Sequence, residues 1–248
     1  LRAYDTYGTL SQHFKTYPDT FFGYLLDKNS VESNYKSSIE TIWKSRVVHH
    51  KLYTNQVPFS DFKVFDFISQ NLPKDSQLQV SNSSAIRYIQ LFDLDKSIEV
   101  FCNRGTSGID GSTSTAIGAS VVNNKATILI TGDISFLYDS NALWNNYIPA
   151  TFKIILLNNG GGGIFRILPG HKETETFNTY FETSHQLNAS HLAKMYNFEY
   201  YIATDEDSLK TSYNTFLNQN NKPCILEIFT PEKSNNRILL DFFGALKK

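Results

Sequence analysis

Two stretches decide the fold: Thr127-Ile128-Leu129-Ile130-Thr131-Gly132-Asp133-Ile134-Ser135-Phe136, and Phe152-Lys153-Ile154-Ile155-Leu156-Leu157-Asn158-Asn159 with Gly160 to Gly163 and Ile164-Phe165 behind it. Each apolar run is short and rich in Ile and Leu, the composition of a strand buried on both faces of a parallel sheet. Roughly 20 residues separate the runs, enough for a helical crossover. Parallel neighbours bring their carboxyl ends to one sheet edge, where open α/β proteins bind ligands. Asp133 and Asn159 are therefore expected to face one ligand from adjacent strand ends.

The chemistry that suits this pair is a magnesium diphosphate. Mg²⁺ takes six oxygens, one or two from protein side chains and the rest from phosphate and water. Asp133 offers a charge and Asn159 a neutral carbonyl oxygen, while the glycines after Asn159 let backbone approach a ligand closely. Gly-Asp-Ile, then 23 residues from Ser135 to Leu157, then Asn-Asn, resembles the thiamine-diphosphate motif. Either half alone reads more readily as an ordinary strand ending at a helix cap. The two at this spacing point to the cofactor.

Composition narrows the class. The chain has 248 residues, 41% hydrophobic and 14% aromatic, so a substantial core can form, and its net charge of -1 comes without a basic block. That gives no case for nucleic acid. Cys102 and Cys224 match no zinc or redox spacing and are expected reduced, in strands. No apolar run reaches membrane-spanning length and no signal peptide opens the chain, so a soluble cytoplasmic protein is the expectation. Leu1 is not an initiator Met, and Met195 is the single methionine, which reads as a piece of a longer protein.

Along the chain, residues 1–55 combine an aromatic cluster over Tyr17 to Leu26 with a weak helical pattern around Ile39, Ile42, Trp43 and Val47. They read as the tail of one domain and a connecting helix. His49 and His50 are adjacent and would point apart on a helix. Asn55 to Pro58 marks a boundary. A helix capped by Ser60 follows, presenting Phe62, Phe65, Ile68 and Leu72 and ended by Pro73. Gln77 to Val80 is a strand leading into Ser81-Asn82-Ser83-Ser84, a polar turn expected to cap a helix with Ile86, Ile89, Gln90 and Phe92. Arg87 lies one turn after Ser83, so both can face one site. Ile98 to Cys102 is the next strand. Its Asn103-to-Gly111 continuation is either a ligand-facing loop or a flexible connector, before a small-residue helix over Ser112 to Val122. Arg166 to Asn188 reads as a lid or surface loop. Ser190 to Tyr196, Asp205 to Asn218 and Leu239 to Leu246 read as helices, with Asp205 to Asp207 suited to a helix start. Phe198 to Ile202 and Pro223 to Phe229 read as strands. This alternation predicts an α/β three-layer sandwich with a mainly parallel sheet over residues 56–248, preceded by the tail of a central domain over 1–55.

Four blocks then occur in order: Ser81-Asn82-Ser83-Ser84-Ala85-Ile86-Arg87; Asn103-Arg104-Gly105-Thr106-Ser107-Gly108-Ile109-Asp110-Gly111; Gly132 to Asn141; and Asn158 to Phe165. Together they resemble the carboxyl-terminal part of the 2-succinyl-5-enolpyruvyl-6-hydroxy-3-cyclohexene-1-carboxylate synthase family of menaquinone biosynthesis. The Gly-Asp to Asn-Asn motif alone indicates only the thiamine-diphosphate superfamily; the second block and Leu137-Tyr138-Asp139-Ser140-Asn141 narrow it. The resemblance covers Phe59 to the carboxyl end, and less closely the first residues.

The resemblance implies the thiamine-diphosphate-binding fold and a transferase reaction. In it 2-oxoglutarate is decarboxylated and its succinyl unit added to isochorismate, with thiamine diphosphate and Mg²⁺ or Mn²⁺ as cofactors. By the family pattern, Asp133, Asn159 and the Gly161 carbonyl match the metal ligands. Gly132, Asp133, Ile134, Ser135, Asn159, Gly161, Gly162 and Ile164 match the cofactor-binding positions, and Ile109 the apolar residue beneath the cofactor. Ser83, Arg87, Arg104, Ile164, Phe165 and Leu168 match the substrate side, with Ile109, Arg87 and Arg104 closest to the chemistry. Always-charged arginines suit dicarboxylate substrates. Two positions depart from the pattern: Ile134 replaces the superfamily's second glycine, and Ser81 stands where glycine is common.

The family also implies a pyrimidine-binding domain, supplied by an amino-terminal part or a second subunit of a homodimer or homotetramer, whose glutamate contacts the cofactor. No matching segment precedes Phe59. Two other readings stand beside this one. The first is another thiamine-diphosphate 2-oxo acid decarboxylase, against which Arg87 and Arg104 argue. The second is a non-catalytic binding module, against which the intact Asp133 and Asn159 argue.

Overall fold

A computed structural model describes residues 2–28, 33–168, 170 and 172–246. The chain forms two compact units, Leu1–Val47 and Val48–Lys248. In chain order the elements are α1 (Pro18–Lys28), α2 (Tyr35–Gln56), α3 (Asp61–Asn71), β1 (Gln77–Val80), α4 (Ser84–Ile89), β2 (Glu99–Cys102), α5 (Ser112–Val122), β3 (Thr127–Gly132), α6 (Asp133–Tyr138), β4 (Lys153–Asn158), α7 (Ser190–Met195), β5 (Glu199–Ala203), α8 (Glu206–Asn218), β6 (Cys224–Phe229) and α9 (Asn235–Ala245).

The first unit carries α1, which begins on Pro18, a residue whose missing N–H costs nothing at a helix start. No residue of α1 is buried. Phe21 packs on Phe14 and Phe22. The aromatic cluster is thus a helix, which its lack of apolar periodicity did not announce.

The second unit is built on six parallel strands in the order β2-β1-β3-β4-β6-β5. Successive side chains of a strand point to opposite faces, and the core divides accordingly. Ile128, Ile130, Ile155, Leu157, Leu226 and Ile228 join α3, α4, α8 and α9 on one face. Leu129, Ile154, Leu156 and Ile225 join α5, Phe136 and Ala193 on the other. This is the three-layer α/β sandwich expected, and its sheet is wholly parallel. Each Leu or Ile fully removed from water contributes about 1.5–3 kcal/mol.

Local signals account for the element ends. The Ser60 side chain accepts from Lys63 N at the start of α3, as expected of a cap. Asp205 and Ser208 close a capping box at α8. Three expectations need correction. Ser83 precedes α4 without capping it: its φ is +71° and its side chain makes no cap hydrogen bond. α4 also stops at Ile89, short of Phe92. The final helix begins at Asn235, ahead of Leu239, because the polar first turn hides the period. Cys102 and Cys224 are free thiols within β2 and β6. Among the described residues, no helix is long and apolar enough to cross a membrane.

Candidate active site

Chain order sets the site. From β1 the chain moves outward to β2, then crosses back beyond β1 to β3. The loops leaving β1 and β3 diverge there, and the crevice between them at the carboxyl edge is where such sheets bind ligands. A cavity of about 510 Å³ lies at this edge, lined from the ends of β1, β2, β3 and β4.

The loops of β1 and β2 are tied by side chains. Asn82 is buried; it donates to Gly108 O at 3.1 Å and accepts from Arg104 Nη1 at 3.0 Å. Arg87 Nη1 donates to Ser83 O at 2.6 Å, so the pair one turn apart does meet, through the Ser83 backbone. Ser135 Oγ donates to Ile109 O at 2.5 Å and so fastens the Asn103–Gly111 loop to α6.

Asp133 follows the extended Gly132 as the first residue of α6. Its Oδ1 accepts from Ile134 N at 2.7 Å, its Oδ2 from Gly161 N at 3.0 Å. His185 Nε2 lies 3.3 Å from the same Oδ2. The adjacent Asp133 carboxylate raises the His185 pKa, against burial, which lowers it. Leu187 N donates to His185 Nδ1 at 3.1 Å; a neutral ring so engaged carries its proton on Nε2, facing Asp133.

The two asparagines at the end of β4, Asn158 as its last residue and Asn159 just after it, separate. Asn158 turns into the protein, donating to Glu227 and to Leu187 O. Asn159 lines the cavity, and its Nδ2 donates to Asp61 Oδ2 at 2.9 Å. Gly161 has φ +152°, and a Cβ there would sit 2.7 Å from Glu182 O. Gly162 N donates to that same carbonyl.

The segment read as a lid or surface loop is partly interior. Phe177–Glu182 forms a π-helical turn that packs on the glycine loop. Arg166 and Glu182, 2% and 1% exposed, form a buried ion pair joined by Glu173. Charge pairing across polar sequence leaves no periodic signal, which is why this region looked like surface.

Of the residues singled out from sequence, the cavity is lined by Ser83, Arg87, Ile109, Gly132, Asp133, Ile134, Ser135, Asn159, Gly161, Gly162, Ile164, Phe165 and Leu168. Arg104 stands behind Asn82, outside that lining. Tyr138, from the Leu137-to-Asn141 block of the resemblance, also lines it, as do Tyr180, Phe181 and Thr183; these last three, with Asp61 and His185, carried no sequence signal. The donors that could hold a cation are one carboxylate, one amide oxygen and backbone carbonyls. Among the described residues no group of three His, Cys, Asp or Glu could cage a metal. Such a donor set fits Mg²⁺ only when a phosphate completes the shell.

The fold and this sheet-edge site define a cofactor-binding α/β domain, and residues 83–228 match the family described as thiamine pyrophosphate enzyme, C-terminal TPP binding domain. The chain belongs to that family. It is 64% identical over 247 residues to the 2-succinyl-5-enolpyruvyl-6-hydroxy-3-cyclohexene-1-carboxylate synthase of Flavobacterium psychrophilum, covering 99% of this chain and 45% of the relative. The synthase of the same name from Flavobacterium johnsoniae is 60% identical over the same shares of each chain. That of Porphyromonas gingivalis is 36% identical over 252 residues, 97% of this chain and 44% of the relative. The chain thus spans somewhat under half the length of these curated relatives.

Proposed function

We propose that this chain is the diphosphate- and metal-binding part, over residues 56–248, of a transferase that makes 2-succinyl-5-enolpyruvyl-6-hydroxy-3-cyclohexene-1-carboxylate for menaquinone biosynthesis. Residues 1–55 are then the tail of a central domain. The observation that carries this reading is the meeting of Asp133 and Asn159, from the ends of neighbouring strands β3 and β4, in one cavity with Gly161. The relatives' shared name supports the product. Thiamine diphosphate, when bound, supplies the electron sink for decarboxylating 2-oxoglutarate.

The chain's residues bind and orient. Asp133 and Asn159 hold Mg²⁺ together with the Gly161 carbonyl, and the Gly132-to-Ser135 turn receives the diphosphate. Ile109 supports the cofactor from below. Arg87 anchors a substrate carboxylate from the cavity wall, and Arg104 acts on the same side through its hold on Asn82; Ser83 assists Arg87, and Ile164, Phe165 and Leu168 form the apolar wall that excludes water. Among the described residues, Asp133 is the single carboxylate lining the cavity, and the metal takes it. The acid–base partner of the cofactor therefore comes from a pyrimidine-binding portion outside these residues, in the same protein or in a partner copy of a dimer or tetramer.

Calorimetric titration of thiamine diphosphate with Mg²⁺, and again with EDTA, tests the binding half of this reading. Metal-dependent binding is expected; equal binding in EDTA overturns it. Turnover of 2-oxoglutarate with isochorismate is expected only once the pyrimidine-binding portion is supplied. Turnover by residues 1–248 alone removes the shared-site assignment, and a preference for pyruvate over 2-oxoglutarate favours a different 2-oxo acid decarboxylase.

A further inference from the structure

Asp61 is the first residue of α3, far from the metal-motif residues in sequence, and it is 3% exposed. A carboxylate buried this deeply needs partners. Thr230 Oγ1 donates to its Oδ1 at 2.5 Å and Asn159 Nδ2 to its Oδ2 at 2.9 Å. Asp61 N in turn donates to Asn235 Oδ1 at 2.9 Å, and Asn235 Nδ2 donates to Pro231 O at 2.8 Å. The end of β6, the start of α9 and the start of α3 thus hold Asp61 in place, and its second oxygen is spent on Asn159.

An amide has two unlike ends, a carbonyl that accepts and an amino group that donates. A cation attracts the first and repels the second. An ionised carboxylate can only accept, so Asp61 captures the amino end of Asn159 and leaves the carbonyl oxygen as the end offered elsewhere. Resting on the magnesium diphosphate reading above, we propose that Asp61 is a positioning residue that selects the metal-binding orientation of the Asn159 amide. Residues that orient a metal ligand in this way typically change affinity by about 10- to 100-fold when removed.

The test measures Mn²⁺ bound to the full chain with thiamine diphosphate present, read from the loss of the free-ion electron paramagnetic resonance signal. Asp61→Leu is expected to weaken Mn²⁺ binding by about 10- to 100-fold. Asn159→Asp presents two equivalent oxygens and needs no orienting partner, while Asp61 then repels it. In that background Asp61→Leu is expected to leave Mn²⁺ affinity unchanged or raise it. A role in folding alone would lower affinity by one factor in both backgrounds, and that result overturns the inference, as does a folded Asp61→Leu chain with unaltered binding. If circular dichroism shows that Asp61→Leu does not fold, Asp61→Asn is read instead. Its amide pairs with Asn159 in either sense, so it weakens binding in the native background and strengthens it beside Asn159→Asp; no loss in the native background overturns the inference. Failure of the unsubstituted chain to bind Mn²⁺ with thiamine diphosphate overturns the proposed function itself, whereas binding by the unsubstituted chain with indifference at Asp61 overturns only the positioning role.

Discussion

Gly161 N donates to Asp133 Oδ2 at 3.0 Å. The glycine loop after β4 is thereby tied to the first residue of α6, and the two halves of the motif are joined before any ligand is considered. Removing the acceptor leaves a buried N–H without its partner, at a cost of about 1–3 kcal/mol.

Asp133→Ala is expected to abolish Mg²⁺-dependent binding of thiamine diphosphate and to lower the unfolding free energy by that amount. Asp133→Asn keeps one acceptor oxygen, for Gly161 N or for Ile134 N but not for both, so it should recover part of the stability and little of the binding. Calorimetric titration and denaturant unfolding of the two variants separate charge from hydrogen bond. Wild-type affinity in Asp133→Ala would remove the metal assignment.

Gly161 and Gly118 make opposite forecasts for the same substitution. At Gly161 the backbone is at φ +152° and a Cβ would meet Glu182 O at 2.7 Å. Gly161→Ala should destabilise the chain by about 1–3 kcal/mol, the range for a residue forced into a sparsely populated backbone region, and should weaken cofactor binding. Gly118 lies within α5 with nothing near its added Cβ, and Gly118→Ala should stabilise by about 0.5–1 kcal/mol. Thermal unfolding of both variants checks the pair of signs.

Arg87→Ala and Arg104→Ala should act on dicarboxylate substrates more than on the cofactor. A hydrogen bond to a charged group contributes about 1.5–3 kcal/mol, or roughly 10- to 100-fold. In the assembled enzyme the KM for 2-oxoglutarate or isochorismate should rise by that factor, with cofactor affinity little changed. Because Arg104 reaches Asn82 and does not line the cavity, Arg104→Ala should also loosen the loop after β2. Equal losses for cofactor and substrates would assign these arginines to folding.

His50 sits among Phe62, Phe92 and Phe242 with ring centroids 5.2–6.0 Å away. Burial holds its pKa below the ordinary 6.5, against the pull of Asp66 and Asp93. As pH falls below 6.5, the unfolded chain takes up a proton that the folded chain resists. The contribution of His50 is therefore fully present above 6.5 and is lost as pH falls toward the folded value. His50→Phe should flatten the dependence of stability on pH just below 6.5, measured by urea unfolding across that range.

Sequence by itself determined the strands β1 to β6, the parallel three-layer class and the group of Asp133, Asn159 and Gly161. β3, β4 and β6 rest on short Ile- and Leu-rich runs with polar residues where the runs end, β1, β2 and β5 on their place in the alternation of strands and helices, and Gly161 on the family resemblance. Chain order and periodicity suffice because a buried parallel strand must be apolar on both faces. Only the tertiary structure decided that Asn158 turns inward onto Glu227 and Leu187, that Ser83 strains its backbone where a cap was expected, and that Arg166 and Glu182 bury a charge pair beneath a segment resembling surface. It alone brought Asp61 and His185, distant in sequence, onto Asn159 and Asp133. The physical reason is common to all of these. They are set by which polar groups meet when loops from separate strands are closed against one another, and pairing of buried polar groups follows proximity in space, which no spacing along the chain encodes.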